Sequence, residues 1–531
     1  MIVMWVIEIG FSMATIRKLK LNNFRRFKTL ELTLDEKLNV LIGDNESGKS
    51  TILEAINIVL SGKKKKIDTL LLESLFNYEV VREYLESDHQ YNNLPILFIE
   101  LYLNEQNNPN LFGRNNSENL DCDGLRFECI PNNDLSKEIN NIISTEECIF
   151  PFEYYSINYM TFAGDNFSGF RPFVKHISID HSQIGTEYSL REYIRGMYNS
   201  ILGENEKPKH FNDYRRAKKN FAATSLSNIN SRLQDYKFAI RNNSKSNLES
   251  DLTIFDNDID IENKGKGRQC FIKTDFALSK SDENLDLILV EEPENHLSHI
   301  NVNKLIKKIS STRSTQLLIS THSNMITSRL DLRNAILLNS SSQNFTLFNS
   351  LNETTSRFFI KAPSNNILDF VLSKKVILVE GDAEYILMEQ FFKNIFSEEL
   401  STNNIHIISV GGISFKRYLE ISKILNLKTA VIRDNDGDYN SNCIENYSDF
   451  VSDYIRIFSS DNNDDSTFEI CLYNDNIDVC NELFGGDRRT LSVQEYMLKS
   501  KTEAAFELLD KKGVELNVPS YIKDAFEWIK E

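Results

Sequence analysis

An eight-residue stretch, GDNESGKS (Gly43–Ser50), constrains the fold of this chain more than any other part of the sequence. It follows an apolar run, LNVLI, and opens a helical pattern, SGKSTILEAINIVLSG, that closes at Gly62. Gly43 and Gly48 allow backbone N–H groups to curl around a phosphate. Lys49 can reach the β- and γ-phosphates, and Ser50 can ligate Mg²⁺. The stretch matches the full P-loop pattern in its strand–loop–helix context, and it predicts a site for a nucleoside triphosphate with Mg²⁺.

A strand that ends in two acids supplies the second half of such a site. The run LILVEEPENHL places Glu291 where it can hold the metal ion or its water, and Glu292 where it can polarise the attacking water. Such a carboxylate pair is costly in a protein core unless it faces a cation. His322, in LLISTHS, is a candidate sensor of the γ-phosphate, although a lone His there is more often a hydrogen-bonded structural residue. Asn45 and Thr51 complete the candidate nucleotide-binding set.

A second set of acids stands at the ends of two later strands. In VILVEGDAE, Glu380 ends the strand, Gly381 permits a tight turn, and Glu384 follows one helical turn later. In VIRDNDGD, Asp434 and Asp436 are two residues apart, and we expect them to point to one face. Four converging carboxylates repel one another unless divalent cations neutralise them, and oxygen ligands of this kind select Mg²⁺ or Mn²⁺. Exposed acids that cap turns are the alternative for the Asp434–Asp438 stretch taken alone.

The charge balance neither requires nor excludes a nucleic-acid partner. The chain carries 60 Lys and Arg against 77 Asp and Glu, a net charge of −17. Two basic runs could still form a local nucleic-acid surface: residues 63–66, and KPKHFNDYRRAKK at 207–219, where Phe211 and Tyr214 interleave. A solvated helix face is the alternative for either run. Seven cysteines without a CxxC pair argue against a zinc ribbon or a disulfide framework and fit a reducing cytoplasm.

The first twelve residues, MIVMWVIEIGFS, are apolar but do not form a typical signal or membrane anchor. They lack a basic segment and a cleavage site, contain Glu8, and are too short to span a bilayer. We interpret them as the result of an upstream start codon, with Met13 as the alternative beginning. No other stretch is apolar enough to span a membrane, so a membrane partner is not expected.

The order of helical and strand patterns predicts an α/β protein. TIRKLKLNNF, LELTL and ILFIELYL are expected strands, whereas residues 105–150 are expected to be loops or an insertion. Residues 185–250, including SNINSRLQDYKFAI, read as mainly helical. After a linker at 361–370, strands at KKVILVE, NIHIISV, LKTAVIRD and DYIRIF alternate with helices in a doubly wound sheet, and the tail is helical.

The N-terminal motifs resemble the ABC-type ATPase heads of the SMC/RecF class, over roughly residues 13–105 and 260–350. In LNNFRRF, the resemblance implies that Arg25 approaches the nucleotide, and EEPENHL resembles the joined catalytic-Glu and D-loop element. The signature loop is degenerate, because KGKGRQ (Lys264–Gln269) stands where LSGGQ is expected. Gln183 is the candidate for the Q-loop. We expect such heads to dimerise through the central insertion, as a homodimer or a higher homo-oligomer.

The C-terminal unit resembles a TOPRIM domain, and an ATPase head followed by TOPRIM is similar to the OLD (overcoming lysogenisation defect) family, which includes the Gabija nuclease. The resemblance implies a glycine turn at Gly411 and Gly412 and a second-metal carboxylate, Glu469, in STFE. It also implies a catalytic lysine in YMLKSKTEAAFEL, Lys501 or Lys499. The implied metal ligands are Glu380, Glu384, Asp434, Asp436 and Glu469, with Ser50 at the ATP site.

These motifs predict four segments: an ATPase N-terminal part (13–105), a mainly helical insertion for dimerisation (106–260), an ATPase C-terminal part (261–360) and a TOPRIM nuclease domain with C-terminal helices (371–531). The leading hypothesis is an ATP-regulated, Mg²⁺-dependent DNA endonuclease in bacterial antiphage defence, with a helicase or other defence protein as a further partner. An SMC/RecF-like ATPase that acts only as a sensor or scaffold, and a nuclease that cleaves RNA or tRNA, remain alternatives. Whether ATP activates or inhibits cleavage stays open.

Overall fold

The computed structural model describes residues 13–63, 72–145, 149–169, 172–181, 187–202, 206–241, 247–279, 285–311, 315–340, 344–362, 366–412, 414–486 and 491–531. The chain divides into two compact units. Unit 1 comprises residues 1–322 and 338–345, and unit 2 comprises residues 323–337 and 346–531. Within the described ranges, no helix is long and apolar enough to cross a membrane.

The strands of the first half are β1 (Ile16–Phe24), β2 (Phe27–Thr33), β3 (Leu38–Gly43), β4 (Leu97–Leu103), β5 (Phe112–Gly113), β6 (Cys122–Pro131), β7 (Tyr155–Thr161), β8 (His176–Asp180), β9 (Phe255–Asp256), β10 (Ile259–Asp260), β11 (Leu287–Glu291) and β12 (Gln316–Ser320). The helices are α1 (Lys49–Ser61), α2 (Tyr78–Leu85), α3 (Ser136–Ile143), α4 (Glu187–Ile201), α5 (Glu206–Thr224), α6 (Ser227–Asn230), α7 (Leu248–Asp251), α8 (Lys266–Ser279) and α9 (His299–Ser311).

The later elements are α10 (Asn324–Thr327), β13 (Ala335–Leu338), β14 (Phe345–Leu347), α11 (Glu353–Lys361), α12 (Ile367–Leu372), β15 (Lys375–Val379), α13 (Asp382–Phe396), β16 (Ile405–Ser409), α14 (Phe415–Leu425), β17 (Lys428–Ile432) and β18 (Ile455–Phe458). They end with α15 (Phe468–Asp475), α16 (Ile477–Phe484), α17 (Val493–Lys499), α18 (Lys501–Lys512) and α19 (Ser520–Lys530).

Unit 1 contains a parallel sheet whose carboxyl edge carries the ATP motifs. Strand β12 pairs in parallel with β3 and β11, and β11 pairs in parallel with β8. The buried run from Leu287 to Val290 has no polar alternation, as expected for a strand covered on both faces. Because parallel strands end at the same edge, the loop after β3, Glu291 at the end of β11 and the residues after β12 are brought together there. The predicted strands are confirmed.

An antiparallel sheet in unit 1 corrects the expectation of loops at residues 105–150. Its order is β2-β1-β4-β6-β5, and β7 pairs with β6. The ten-residue strand β6 lies in the Asn-rich stretch that lacks a clear hydrophobic pattern. Its polar residues are satisfied across the sheet: Arg126 forms an ion pair with the fully buried Glu100, which also accepts a hydrogen bond from Ser117 N at 2.7 Å. Such cross-strand pairing permits polar residues inside a strand. The strand therefore lacks the alternation of apolar and polar residues by which strands are predicted.

The helical prediction for residues 185–250 is right for α4 and α5 but wrong for most of SNINSRLQDYKFAI. Only Ser227–Asn230 forms a helix in that stretch. The Asn230 side chain accepts a hydrogen bond from Phe238 N at 2.7 Å and donates one to Phe238 O at 3.0 Å. These two bonds close a loop, because the Asn side chain replaces the partners that a continuing helix would supply.

Unit 2 contains the four-stranded parallel sheet expected of the C-terminal unit, in the order β16-β15-β17-β18. Helices α13 and α19 contribute to its core, where Leu387, Ile522 and Phe526 are fully buried. The linker expected at 361–370 is corrected in part, since Ile367 and Phe370 are buried in α12. Pro363 lies outside the described residues. The helical tail is confirmed.

Candidate nucleotide and metal sites

The P-loop has the backbone geometry that a phosphate cradle requires. Gly43 and Gly48 have φ values of 154° and 99°, in a region that disfavours side chains. A Cβ on Gly48 would lie 2.5 Å from the Phe27 ring, so the loop also leaves no room for one. Lys49 donates hydrogen bonds to the carbonyls of Gly43 at 2.8 Å and Asp44 at 2.9 Å. Its ammonium therefore lies inside the loop, where burial lowers its pKa to about 8.

The structure brings Ser50 and Glu291 together across the site, as the two motifs predict. The Ser50 side chain hydrogen-bonds to the Glu291 carboxylate, and burial raises the pKa of that carboxylate. A Ser and a strand-end carboxylate in this arrangement fit the Mg²⁺ ion that accompanies a nucleoside triphosphate. Asn45 is exposed in the loop and Thr51 lies in the first turn of α1, so these two residues flank Ser50 along the chain.

Glu292, His322 and Lys49 form a connected polar group beside the P-loop. His322 Nε2 lies 3.2 Å from Glu292 Oε1, and His322 Nδ1 lies 3.5 Å from Lys49 Nζ. Burial raises the pKa of Glu292 to about 8, with Glu294 adding to the shift. Burial and the Lys49 ammonium lower the pKa of His322, which favours a neutral imidazole. These contacts bring the three side chains together, while their roles towards an attacking water and a γ-phosphate stay predictions.

Glu294 belongs to this group, although the sequence interpretation assigned it no role. Its Oε1 accepts hydrogen bonds from Thr321 Oγ1 at 2.6 Å and His322 N at 2.8 Å. These contacts fix the backbone that carries His322. Glu294 could have been found from its position in EEPENHL, two residues after Glu292.

Arg25 pairs with the P-loop helix rather than with the loop itself, and its approach to the nucleotide stays a prediction. Arg25 has a φ of 49° and forms an ion pair with Glu54 of α1 at 2.7 Å. Arg26 contacts the loop instead, because its guanidinium donates a hydrogen bond to the Glu46 carbonyl. The positive φ in the turn between β1 and β2 decides which of the two adjacent arginines faces the loop.

The degenerate signature sequence leads into α8, which begins at Lys266. Lys264 and Arg268 both bind Asp256, with N–O distances of 3.3 and 3.0 Å. The buried His181 links α8 to the ATP site: Nδ1 lies 3.1 Å from the Glu291 carbonyl, and Nε2 lies 3.3 Å from the Cys270 carbonyl. Gln183, the Q-loop candidate, lies outside the described residues.

In unit 2, the ends of β15 and β17 place three acids of the second set near one another. Glu380 follows β15, Gly381 precedes α13, and Glu384 is buried in the first turn of that helix. Asp434 is buried two residues after β17, and its Oδ1 accepts a hydrogen bond from Phe468 N at 2.7 Å. Residues 468 and 469 begin α15, so this bond also brings Glu469 to the acidic group.

The buried acids influence one another's protonation. Burial raises the pKa of Asp434 to about 8, and Glu380, Glu384 and Glu469 add to the shift. Burial likewise raises the pKa of Glu384 to about 7, with smaller effects from Glu469 and Glu380. Carboxylates that share a buried space in this way favour protonation unless a cation compensates their charge.

Lys501 is the basic member of the group. Its Nζ lies 2.8 Å from Oε2 of the buried Glu469, and its pKa is raised, because the attraction of Glu469, Asp434 and Glu384 outweighs burial, the largest single effect. Lys499 ends α17 and makes no ion pair with these acids among the residues described. The ion pair supports Lys501 rather than Lys499 as the lysine of this site.

The glycine turn implied by the resemblance is present. Gly411 and Gly412 have φ values of 63° and 90°, and Gly412 N donates a hydrogen bond to the Glu380 carbonyl at 3.1 Å. A Cβ at either position would meet nothing within 4 Å, so only the backbone conformation favours glycine there. The turn supports the backbone at Glu380.

Asp436 does not join the acidic group, which corrects the expectation that it shares a face with Asp434. Strand β17 ends at Ile432, so the alternation of a strand no longer applies at Asp436, whose φ is 51°. Its side chain is 57% exposed and forms an ion pair with Arg433 at 2.9 Å. A role for Asp436 as a metal ligand therefore requires that this ion pair opens.

The residues present fit a divalent cation of the Mg²⁺ or Mn²⁺ type. In the part of the chain that the structure describes, no three His, Cys, Asp or Glu side chains already stand in a ligating arrangement. The donors are nevertheless all carboxylate oxygens, which hard cations prefer. Burial, with the neighbouring acids, raises the pKa of both Asp434 and Glu384, and a bound cation would offset this cost of holding them ionised. The fold and the two sites together define an ATPase joined in one chain to a TOPRIM domain.

Comparison with known proteins agrees with this description. Residues 371–436 match the domain family described as "Overcoming lysogenization defect protein-like, TOPRIM domain". Residues 15–155 match the family described as "AAA ATPase domain". The chain therefore carries an AAA ATPase domain and an OLD-like TOPRIM domain.

Similar proteins cover parts of the chain. The DNA replication and repair protein RecF of Clostridium kluyveri is 35% identical over 71 residues, which are 13% of this chain and 19% of that protein. The chain therefore spans about a fifth of the length of this curated relative. The C-terminal region of the Xanthomonas campestris pv. campestris OLD protein aligns at 24% identity and a TM-score of 0.23, over 30% of this chain and 94% of that one. The SMC head domain from Thermotoga maritima aligns at 13% identity and a TM-score of 0.28, over 61% of this chain and 94% of that one.

Proposed function

We propose that this protein is a DNA endonuclease that requires Mg²⁺ or Mn²⁺ and whose cleavage is controlled by ATP bound at the P-loop. The observation that carries the proposal is the buried group of Glu384, Asp434 and Glu469, with the Lys501 ammonium 2.8 Å from Glu469. A protein that used its TOPRIM domain only to bind a partner would have no reason to keep clustered buried carboxylates, because they destabilise the fold without a cation.

The residues of the group would divide two tasks in phosphodiester hydrolysis, holding cations and stabilising charge. Glu380, Glu384, Asp434 and Glu469 would hold the cations, and Asp436 would join them once released from Arg433. Bound cations would activate a water molecule and stabilise the attacking and leaving oxygens. Lys501 offers its ammonium to the negative charge that develops on the cleaved phosphate. Its ion pair with Glu469 keeps the ammonium at the edge of the acidic group.

The ATP site has the parts required for hydrolysis and for sensing the γ-phosphate. Glu292 orients the attacking water, and Lys49 and His322 contact the γ-phosphate. Glu294 holds the His322 backbone through the bond from His322 N. Binding and loss of the γ-phosphate would thereby change the contacts of His322, just after β12. ATP controls cleavage by this means, and an ATP titration distinguishes activation from inhibition.

We further propose that the protein acts in bacterial antiphage defence, in the cytoplasm, as a homodimer or a higher homo-oligomer. Residues 106–260 are the proposed dimerisation region, and a helicase or other defence protein is the proposed partner. The OLD family resemblance supports these roles. A plaque assay on bacteria that carry the wild-type gene or the Glu384→Ala variant would test the defence role.

Cleavage of supercoiled plasmid in Mg²⁺ or Mn²⁺ tests the nuclease activity. We expect the wild-type protein to nick or cut the plasmid and Glu384→Ala to lose this activity. Glu389→Ala changes a more exposed acid on the same helix and should cleave as the wild type does. No cleavage with either metal would overturn the proposal. Faster cleavage of total RNA than of plasmid by the same preparation would favour an RNA nuclease.

A further inference from the structure

Residues 206–241 form a basic, aromatic surface in an otherwise acidic chain. The segment holds nine Lys and Arg against three Asp and Glu, whereas the whole chain has a net charge of −17. Its main element, the 19-residue helix α5, has no buried residue. A helix of this length without an apolar contact face is not held by core packing, so its side chains are available for another purpose.

Polar contacts hold one face of α5. Lys207 forms an ion pair with Glu249 at 2.8 Å, His210 Nδ1 lies 2.9 Å from the Tyr198 hydroxyl, and Lys218 lies 3.6 Å from Asp251. These three residues share a face, because they recur at helical spacing. Helix α5 is thus oriented within unit 1 by charged and polar tethers on a single side.

The opposite face of α5 presents a row of cations. Lys209, Arg216 and Lys219 are exposed and lie at positions i, i+7 and i+10, which fall on one side of a helix. The row is about 15 Å long at the rise of an α-helix. Arg216 makes only a surface ion pair with Asp213, which contributes little. Three exposed cations on one side of a helix can contact the phosphates of a nucleic-acid strand.

Exposed aromatic side chains follow this row along the chain. Tyr236 is 84% exposed and Phe238 is 60% exposed, and Asn230 fixes the loop that carries them through its two bonds to Phe238. A groove of about 510 Å³ lies on the tethered face of α5, lined by Tyr214, Ala217, Lys218, Phe221, Ile240 and Asp251. Aromatic rings with a cationic row are the combination that binds unpaired nucleic acid, since rings stack on bases while cations contact phosphates.

We propose that this surface binds a single-stranded segment of DNA, with Lys209, Arg216 and Lys219 on the phosphates and Tyr236 and Phe238 stacked on bases. The inference rests on the proposed function and identifies where the nuclease holds its substrate away from the cleavage site. A second copy of the chain would dimerise through other parts of residues 106–260, because the same basic patch on both partners would repel.

Binding of fluorescein-labelled single-stranded DNA of about 30 bases, followed by anisotropy in EDTA across a KCl series, tests the surface. For the triple variant Lys209→Gln/Arg216→Gln/Lys219→Gln we expect at least tenfold weaker binding and a salt slope lower by about 2. Tyr236→Ala/Phe238→Ala should weaken binding at least about fivefold with the slope unchanged. The charge-matched control Lys304→Gln/Lys307→Gln/Lys523→Gln changes exposed lysines elsewhere and should bind as the wild type does.

If both test variants bind the single-stranded DNA with the affinity of the control variant, the proposal that this surface binds DNA is contradicted. Sedimentation of the same variants adds a second readout: a triple variant that dissociates into smaller species while its DNA affinity is unchanged would show a self-association face instead. Because EDTA prevents cleavage, binding is measured independently of the nuclease activity. Wild-type binding without plasmid cleavage contradicts the proposed nuclease, whereas plasmid cleavage with unchanged binding by the variants contradicts only this surface.

Discussion

Lys501 Nζ lies 2.8 Å from Glu469 Oε2, and this ion pair joins two helices of the TOPRIM unit at the buried acids. Glu469 lies in the first turn of α15, and Lys501 begins α18. The Lys501 side chain is 49% exposed, whereas Glu469 is buried. The lysine therefore connects the acidic interior with the surface from which a phosphodiester would approach.

Removal of the Lys501 ammonium should impair cleavage more than folding. We predict that Lys501→Ala lowers the rate of plasmid cleavage by about 10²-fold or more, the range found when a charge-stabilising donor is removed. Lys499→Ala is the matched control, two residues away, and should retain activity. Time courses of plasmid nicking give both rates. Equal losses in the two variants would contradict the assignment of Lys501.

The metal-free protein should become less stable as the pH rises. The pKa of Asp434 is raised from 3.8 to about 8, so between these values the native state binds more protons than the unfolded state. The free energy of unfolding therefore falls with rising pH across this window. Asp434→Asn should flatten the dependence, while Asp464→Asn, an exposed acid, should not. Urea unfolding in EDTA at several pH values measures it, and a slope unchanged in Asp434→Asn would contradict the prediction.

Divalent cations should stabilise the protein more at high pH than at low pH. A cation and a proton compete for the same carboxylates, so metal binding strengthens as Asp434 and Glu384 lose their protons. The rise in Tm caused by Mn²⁺ should be greater at pH above 8 than at pH below 7, given the pKa values of about 8 and 7. Equal shifts at both pH values would count against cation binding at these acids.

Glu294 should affect ATP turnover through His322. Glu294→Ala removes the acceptor for Thr321 Oγ1 and His322 N, and we predict about tenfold lower kcat with little change in KM, as for a lost hydrogen bond to a charged group. Glu294→Gln keeps an acceptor oxygen and should recover most of the rate. Steady-state ATP hydrolysis separates kcat from KM. A change in KM alone would indicate that Glu294 supports ATP binding rather than turnover.

Replacement of Gly411, in the glycine turn after β16, should lower the free energy of unfolding. Gly411→Ala meets no steric clash, so its effect isolates the φ of 63°. We predict a loss of about 1 kcal/mol in the free energy of unfolding. Gly486→Ala, where a Cβ also meets nothing within 4 Å and φ is outside the left-handed region, should change stability by less than about 0.5 kcal/mol. Urea unfolding of the two variants tests the difference.

Local patterns predict the parts of this molecule in which neighbouring residues decide the structure. The P-loop, the strands that end at Glu291 and Val379, and the helix that carries Glu384 follow from apolar runs and glycine positions. The meeting of Ser50 with Glu291 follows from parallel strands that end at one edge. These features can be predicted without information about side chains that are distant in the sequence.

The sequence-based predictions are wrong where contacts between distant residues, or the geometry of a turn, determine the structure. Strand β6 lacks a clear hydrophobic pattern because Arg126 in it pairs with a buried Glu100 on the neighbouring strand. Asp436 has a positive φ value, and its side chain pairs with Arg433 instead of joining the acidic group. Sequence spacing gives the distance along the chain, but a turn with positive φ changes the direction in which a side chain points.

Plasmid nicking across an ATP titration is the most direct test of ATP control over cleavage. It measures whether a nucleotide bound at the P-loop changes the reaction at the acidic site. With Mg²⁺ present, we predict that the nicking rate of the wild-type protein changes severalfold as ATP increases, up or down. In Lys49→Ala, which lacks the ammonium for the β- and γ-phosphates, the rate should not depend on ATP. A wild-type rate that stays constant across the titration would contradict control of the nuclease by ATP.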